Sequence, residues 1–379
     1  MKQFDYIIAG AGAAGLTLAY LLMGCKSTKK STLIIEKDSK ATNDRTWCFW
    51  EKEENLLENL VYKSWSKGLF KSDSHEKIYD LPPYQYKMIR GIDFYEFMRK
   101  ELTQHHEIVW LQEEIRDITD TGIVTTDKAS YQGNYVFDST KRLTDFPQPV
   151  NTTTLLQHFK GYFLKTDQPV FDESTFTYMD FTIPQNGDFR FGYVLPFSPT
   201  EALVEYTIFS TSLLGTSEYT AGVEAYISQL GIEHYQITEE EFGVIPMTDF
   251  EFPFKRSNQV YQIGISGGFA KPSTGYTFLR GQKILASMVN NLAGGSPPEY
   301  KLPFAQKRFK KYDSTLLRVL AKPDNIGERA FSDMFRKNGM QRMFRFLDEQ
   351  TKLPEELAVM SSTPLLTFGK AFFESFSKA

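Results

Sequence analysis

The chain opens on an apolar run with an internal break. Across residues 6–25, twenty positions pass without an Asp, Glu, Lys or Arg. That length would serve a membrane-spanning helix, since about 18 apolar residues suffice. The order of residue types inside it argues for something else. Residues 4–9 read as a short β-strand, Gly10, Gly12 and Gly15 follow in the spacing G-x-G-x-x-G, and residues 13–23 carry a helical pattern. A second apolar run at 32–35 ends at Glu36, 21 residues after Gly15. Strand, glycine turn, helix, strand and acid together predict a dinucleotide-binding βαβ unit. The first two glycines permit a tight turn and close approach to a pyrophosphate, and the third lets helix and strand pack. The helix N-terminus favours phosphate, and the acid can accept ribose hydroxyls. A signal peptide is disfavoured, because Asp5 stands where a basic region should be.

Downstream, strand-like runs at 108–111 and 122–126 precede "YVFDST" at 135–140, which ends in Asp138, Ser139 and Thr140. The pattern then changes. Residues 175–183, 189–197 and 202–210 read as consecutive antiparallel strands separated by the turns "PQNGD" and "SPTE", with a helix over 219–231. From 260 the αβ style returns, with a strand at 260–265 and a helix at 275–292 after a Gly/Pro/Ser turn. The expected fold class is therefore α/β, a Rossmann-type domain (1–145 and 255–300) interrupted by an antiparallel β-sheet substrate domain (146–254). A helical C-terminal tail (301–379) mixes Phe with Lys and Arg and is expected to pack on the substrate domain or on a membrane.

Composition narrows the function classes. A net charge of -4 with no dense basic block gives no case for nucleic acid, and a mean hydropathy of -0.36 excludes a multi-span membrane protein. Two cysteines, Cys25 and Cys48, suggest a reducing compartment without a disulfide framework. The five histidines show no metal-ligand spacing, so no metal is expected. Aromatic residues make up 15% of the chain, 32 of them Phe. Most must serve the core, but such a composition also suits a cavity for something long, apolar or cationic.

Glu205 is the candidate acid. A strand at 202–210 puts Leu203, Glu205, Thr207 and Phe209 on one face and Val204, Tyr206 and Ile208 on the other. Both faces are largely apolar, and desolvation raises a carboxyl pKa and keeps a proton available near neutral pH. The competing reading is a Glu paired with Lys or Arg, or one facing solvent. Asp180 reads equally as an acid orienting Glu205 or as a structural hydrogen-bond acceptor. Glu240 and Glu241 read as hinge or surface acids.

Several stretches, in order, resemble the lycopene β-cyclase family: "NDRTWCFW" (43–50), "YMDF" (178–181), "LVEYTIFS" (203–210), "EEFGVIPM" (240–247) and "GGFAKPSTGYTF" (267–278). That family is similar in turn to FAD-dependent aromatic hydroxylases and geranylgeranyl reductases. The resemblance implies non-covalent FAD, held by Gly10, Gly12 and Gly15 with the intervening Ala11, Ala13 and Ala14. It adds Glu36, Lys37 and Arg45, then Asp138, then Gly267 and the turn Pro272, Ser273, Thr274, Gly275 and Tyr276. It implies that reduced FAD is the active form, with NADPH or NADH as reductant, and that lycopene and other ψ-end carotenoids are isomerised to β-rings. Glu205 would be the catalytic acid and Asp180 its support. A peripheral site on the inner face of the cytoplasmic membrane follows, with residues 331–346 and 368–376 as docking surface. Two departures stand out. No Asp precedes Pro272 as in the hydroxylases, and Tyr206 follows Glu205 where many cyclases carry a second acid. A reductase or monooxygenase of the same fold, or a flavin-free isoprenoid carrier, are the alternative readings.

Overall fold

In the computed structural model, which describes residues 1–322 and 326–376, the uncharged opening stretch is the centre of a sheet. Lys2–Ala9 pairs in parallel with Thr32–Glu36 on one side and Ser130–Asp138 on the other. Ile108–Gln112 extends one edge, while Ile123–Thr126 and Ile115–Ile118 extend the other as antiparallel strands. The helix Ala13–Gly24 covers this sheet with Leu16, Leu18 and Leu22 fully buried. Such burial explains its lack of charge without a membrane. The chain does return from its middle section: Val260–Gln262 pairs in parallel beside Asp138, and the helix Phe278–Ala293 packs on Ala13–Gly24. It starts three residues later than its apolar pattern predicts, because residues 271–276 form a turn in which the Thr274 and Gly275 N–H groups both bond Lys271 O.

The second sheet runs Tyr235–Thr248, Thr154–Thr166, Glu201–Ser210, Phe189–Ser198, Thr175–Asp180, Lys67–Ser72, His75–Asp80. Its last two strands come from the segment assigned above to the nucleotide domain. Lys67–Ser72 joins by parallel pairing with Thr175–Asp180, a long-range match that local pattern does not encode. A three-stranded sheet of Thr46–Glu51, Gln85–Arg90 and Lys63–Trp65 lies between the halves. The large sheet is covered on both faces. The helix Thr216–Gln229 packs Tyr219, Val223 and Tyr226 against Val204, Tyr206 and Ile208. The other face meets the C-terminal helices, which explains why Glu201–Ser210 shows little polar alternation.

Those helices are Lys307–Leu320, Ile326–Leu347 with a break at Gly339, Leu353–Ser361 and Leu365–Glu374. Residues 323–325 and 377–379 of the expected helical tail lie outside the described residues. Phe331, Phe335 and Phe344 are buried with Phe70, Phe176 and Phe189 in one core. This corrects the expectation of a docking surface at 331–346. Burying such a ring contributes about 1.5–3 kcal/mol, and this set packs over the sheet, with Phe331 and Phe335 also bordering a cavity there. Among the described residues no helix is long and apolar enough to cross a membrane.

A buried ion cluster ties the tail to the 271–276 turn. Lys271 Nζ donates to Asp313 Oδ2 and to Glu349 Oε1, each at 3.0 Å, and Arg280 also reaches Glu349 at 3.0 Å. Lys271→Met leaves two buried carboxylates short of a cation, so a loss of about 3–5 kcal/mol is expected, read as an earlier denaturant midpoint.

Candidate active site

One face of the large sheet forms a wall. Gln157 and Phe159, Glu205, Thr207 and Phe209, Phe191 and Tyr193, and Glu241, Gly243 and Ile245 stand in register across four strands and all border one cavity. The cavity measures about 1210 Å³, larger than the ~300–1,000 Å³ of ordinary small-molecule pockets. It runs from the Gly12 turn, past Glu205, to Phe368 and Phe372 on the last helix. Aromatic rings from several elements line it, among them Tyr86, Tyr178, Phe191, Tyr193, Phe209 and Tyr276. Tyr86 OH lies 2.8 Å from Tyr193 OH and 2.6 Å from Tyr276 OH, and the Tyr86 ring stacks on Phe176 at 4.1 Å.

Glu205 sits in this wall, 8% exposed, and among the described residues nothing donates a hydrogen bond to its carboxyl. Burial first, and then the nearby charge of Glu241, push its pKa well above the ordinary carboxylate range. Glu241 is also buried, and burial raises its pKa too. The Thr46 N–H donates to its Oε1 at 3.0 Å and the Thr46 hydroxyl to its Oε2 at 2.6 Å, opposing that rise. Two neighbouring carboxyls with unequal hydrogen bonding divide into a proton holder and an anion. Glu205 is the holder.

The far end of the cavity has the shape of a cofactor cradle. Gly10 has φ +99°, a turn that favours glycine, and Gly12, Ala13 and Ala14 present the head of the helix to the cavity. The Ala11 N–H donates to Glu36 Oε2 at 2.8 Å and the Asp38 N–H to its Oε1 at 3.0 Å, so Glu36 braces the turn from the strand end. Opposite, Ser273, Thr274, Gly275 and Tyr276 border the same space. Among the described residues, buried Ser273 Oγ and Gln157 Oε1 have no hydrogen-bond partner, and both residues border the cavity; such unspent polar groups suit a ligand with donors and acceptors.

The family model described as lycopene cyclase protein matches residues 5–372. The chain belongs to the lycopene cyclase family. It is similar to a lycopene beta-cyclase of Pantoea ananas, 22% identical over 73% of this chain and 71% of that one. It is also similar to a chloroplastic neoxanthin synthase of Solanum tuberosum, 26% identical over 77% of this chain. The chain spans 61% of the length of that plant relative. In fold it resembles a geranylgeranyl bacteriochlorophyll reductase-like protein of Thermoplasma acidophilum, with a TM-score of 0.64, 11% identity and coverage of 99% and 100% of the two chains. A flavoprotein/dehydrogenase of Cytophaga hutchinsonii gives a TM-score of 0.66 at 12% identity, over 98% and 99%.

Within this family fold, the residues singled out from sequence separate. Gly12, Ala13, Ala14, Arg45, Ser273, Thr274, Gly275, Tyr276 and Glu205 all border the cavity. Gly10, Ala11, Gly15 and Glu36 shape the turn behind it. Lys37 is exposed and away from the cavity. Pro272 and Gly267 do not border it; a Cβ at Gly267 would meet Gln262 O at 2.5 Å, so that glycine serves the chain's own packing. Asp138 requires a correction. It is fully buried, with Oδ1 accepting from the Thr140 N–H and hydroxyl and Oδ2 from Gln262, and its neighbours Ser139 and Thr140 face the cavity instead. Asp180 requires another. It pairs in register with Gly192, and Gly192 with Tyr206, which places it on the helix-covered face, opposite to Glu205. There it accepts hydrogen bonds from Thr182 and Tyr226. Glu241, read as a hinge or surface acid, is the site residue that local pattern misses. Only the alternation of its own strand, with Glu240 outward and Glu241 inward, carried a signal.

Proposed function

We propose that this protein is a lycopene β-cyclase that closes ψ-end groups of lycopene and related carotenoids to β-rings, through γ-carotene to β-carotene. The observation that carries this reading is Glu205, buried and without a hydrogen-bond donor among the described residues, in a cavity continuous with the Gly10–Gly15 turn. FAD would be held by the Gly12–Ala14 turn, Arg45 and the Ser273–Tyr276 turn. Bound in reduced form, with NADPH or NADH as reductant, it would supply negative charge beside a forming cation without net redox change.

The chain's own residues account for the rest. Glu205 gives its proton to the terminal double bond, leaving a tertiary carbocation. The neighbouring double bond attacks it, the ring closes, and loss of a ring proton yields the β-end group. The aromatic wall of Phe191, Tyr193 and Phe209 keeps water from the cation and offers it electron-rich faces. Incubation with lycopene in vesicles, FAD and NADPH under anaerobic conditions, followed by product chromatography, tests the reading. Cyclic product without stoichiometric NADPH consumption supports it. One NADPH spent per product would return the chain to the reductase or monooxygenase reading, and a protein that takes no flavin to the carrier reading.

The substrate is confined to lipid, so a peripheral membrane position, on the cytoplasmic inner face, belongs to the same proposal. Leu357, Leu365, Leu366 and Phe373 are exposed on the last two helices, beside Phe368 and Phe372 at the cavity end. Serine at both Leu366 and Phe373 is expected to weaken vesicle flotation at least about tenfold, with the melting temperature unchanged.

A further inference from the structure

Glu205 and Glu241 both stand opposite Gly161, one on each side of it in neighbouring antiparallel strands. Residues in register across such strands project to the same face, so the two acidic side chains share a position that has no side chain of its own. The gap is needed. A Cβ at residue 161 would come within 2.8 Å of Glu205 Cγ and 2.9 Å of Leu203 Cδ1. Both acids border the cavity, and they are unlike. Glu241 accepts two hydrogen bonds from Thr46, whereas among the described residues none reaches the Glu205 carboxyl.

We propose that Glu205 and Glu241 act as one acid–base pair holding a single proton, Glu205 as donor to the terminal double bond and Glu241 as acceptor of the proton released from the ring. The proposal rests on the ring-closure reading above. The Glu205 O–H bond breaks as a C–H bond forms at the terminal carbon. A π pair of the neighbouring double bond closes the ring. The C–H bond at the adjacent ring carbon then breaks, its electrons become the ring double bond, and its proton goes to Glu241. Transfer from Glu241 to Glu205 across Gly161 restores the pair. Atoms and electrons balance with no oxidant or reductant. The second acid that many cyclases carry next to the first in sequence, replaced here by Tyr206, is thus supplied by another strand.

The charges around the pair agree with this division. Arg45 and Asp44, from the segment ahead of Thr46, face Glu241 with opposite effects. The Cys48 thiol and the Tyr193 hydroxyl flank Glu205 and stay neutral at ordinary pH through burial. Glu239, further along the same face, is paired with Arg90 at 2.7 Å, and Glu240 with Lys160 at 3.2 Å on the other face.

The test is a pH–rate profile of the FAD-loaded protein on lycopene vesicles, with ring isomers separated by chromatography. The parent should show a bell, its acid limb from protonation of Glu241 and its alkaline limb from ionisation of Glu205. Thr46→Val keeps the shape of the side chain but removes the 2.6 Å hydroxyl donor. The acid limb should then move up by about one to two pH units while the alkaline limb stays. Glu241→Gln, checked for flavin absorbance and melting temperature, should lower kcat about 10²-fold or more. It should also lose the acid limb and scatter the ring double bond over other positions. A Thr46→Val profile that superimposes on the parent's, or a Glu241→Gln protein that keeps the acid limb and a single ring isomer, overturns the pair and leaves the ring-closure reading intact. A parent that makes no ring overturns both.

Discussion

Glu205→Gln should remove about 10²–10⁴-fold of the ring-closing rate, the usual worth of a positioned acid, while the protein stays folded and yellow. The amide keeps the shape of the side chain in a wall where it is 8% exposed but has no proton to give. Stability moves the other way. Burial holds the Glu205 pKa above its unfolded value, so the folded state keeps a proton that the unfolded chain releases above about pH 4.3. Folded-state stability therefore falls as pH rises from that value through the raised one, and glutamine is free of this loss. At pH 8 the variant should melt no earlier than its parent. Turnover within twofold of the parent, on chromatographed product, would remove Glu205 from the mechanism.

Gly12→Val should produce a colourless protein that is otherwise intact. Nothing lies within 4 Å of a Cβ placed at Gly12, so the chain itself has room for a side chain there. The space it would fill is the approach of a pyrophosphate to the helix head. Gly15 makes the contrast. A Cβ there would meet Gly10 O at 2.1 Å and Ile8 Cγ2 at 3.0 Å, so Gly15→Ala should unfold or strongly destabilise the turn. Flavin absorbance and a thermal melt of both variants separate the two roles. A Gly12→Val protein that purifies fully yellow would place the cofactor elsewhere.

The division between what was legible in the chain and what was not follows contact range. The opening βαβ unit is built from neighbours within 36 residues, and each glycine there answers a local need, so spacing alone exposes it. Glu205 was legible for a related reason: an acid inside an apolar strand has a face and a burial that its immediate neighbours imply. The return of the chain at Val260–Gln262 could be inferred because strand style changes twice along the sequence.

Asp180, Asp138 and Glu241 depended on more. Whether an acid near a strand end looks into a cavity or onto a covering helix is set by inter-strand register. Asp180 pairs with Gly192 and so looks away, while Glu241 pairs with Gly161 and so meets Glu205. Those pairings join segments that carry no mark of each other. The same holds for Phe331, Phe335 and Phe344, whose apolar rings suit a lipid surface as well as a core until Phe70, Phe176 and Phe189 are brought beneath them. The sequence by itself determined the strand–glycine turn–helix–strand opening and the apolar strand that buries Glu205, because helix and strand periodicity act over a few residues. Only the tertiary structure decided which second carboxylate faces Glu205, because side-chain direction in a sheet reverses with a one-residue shift of register.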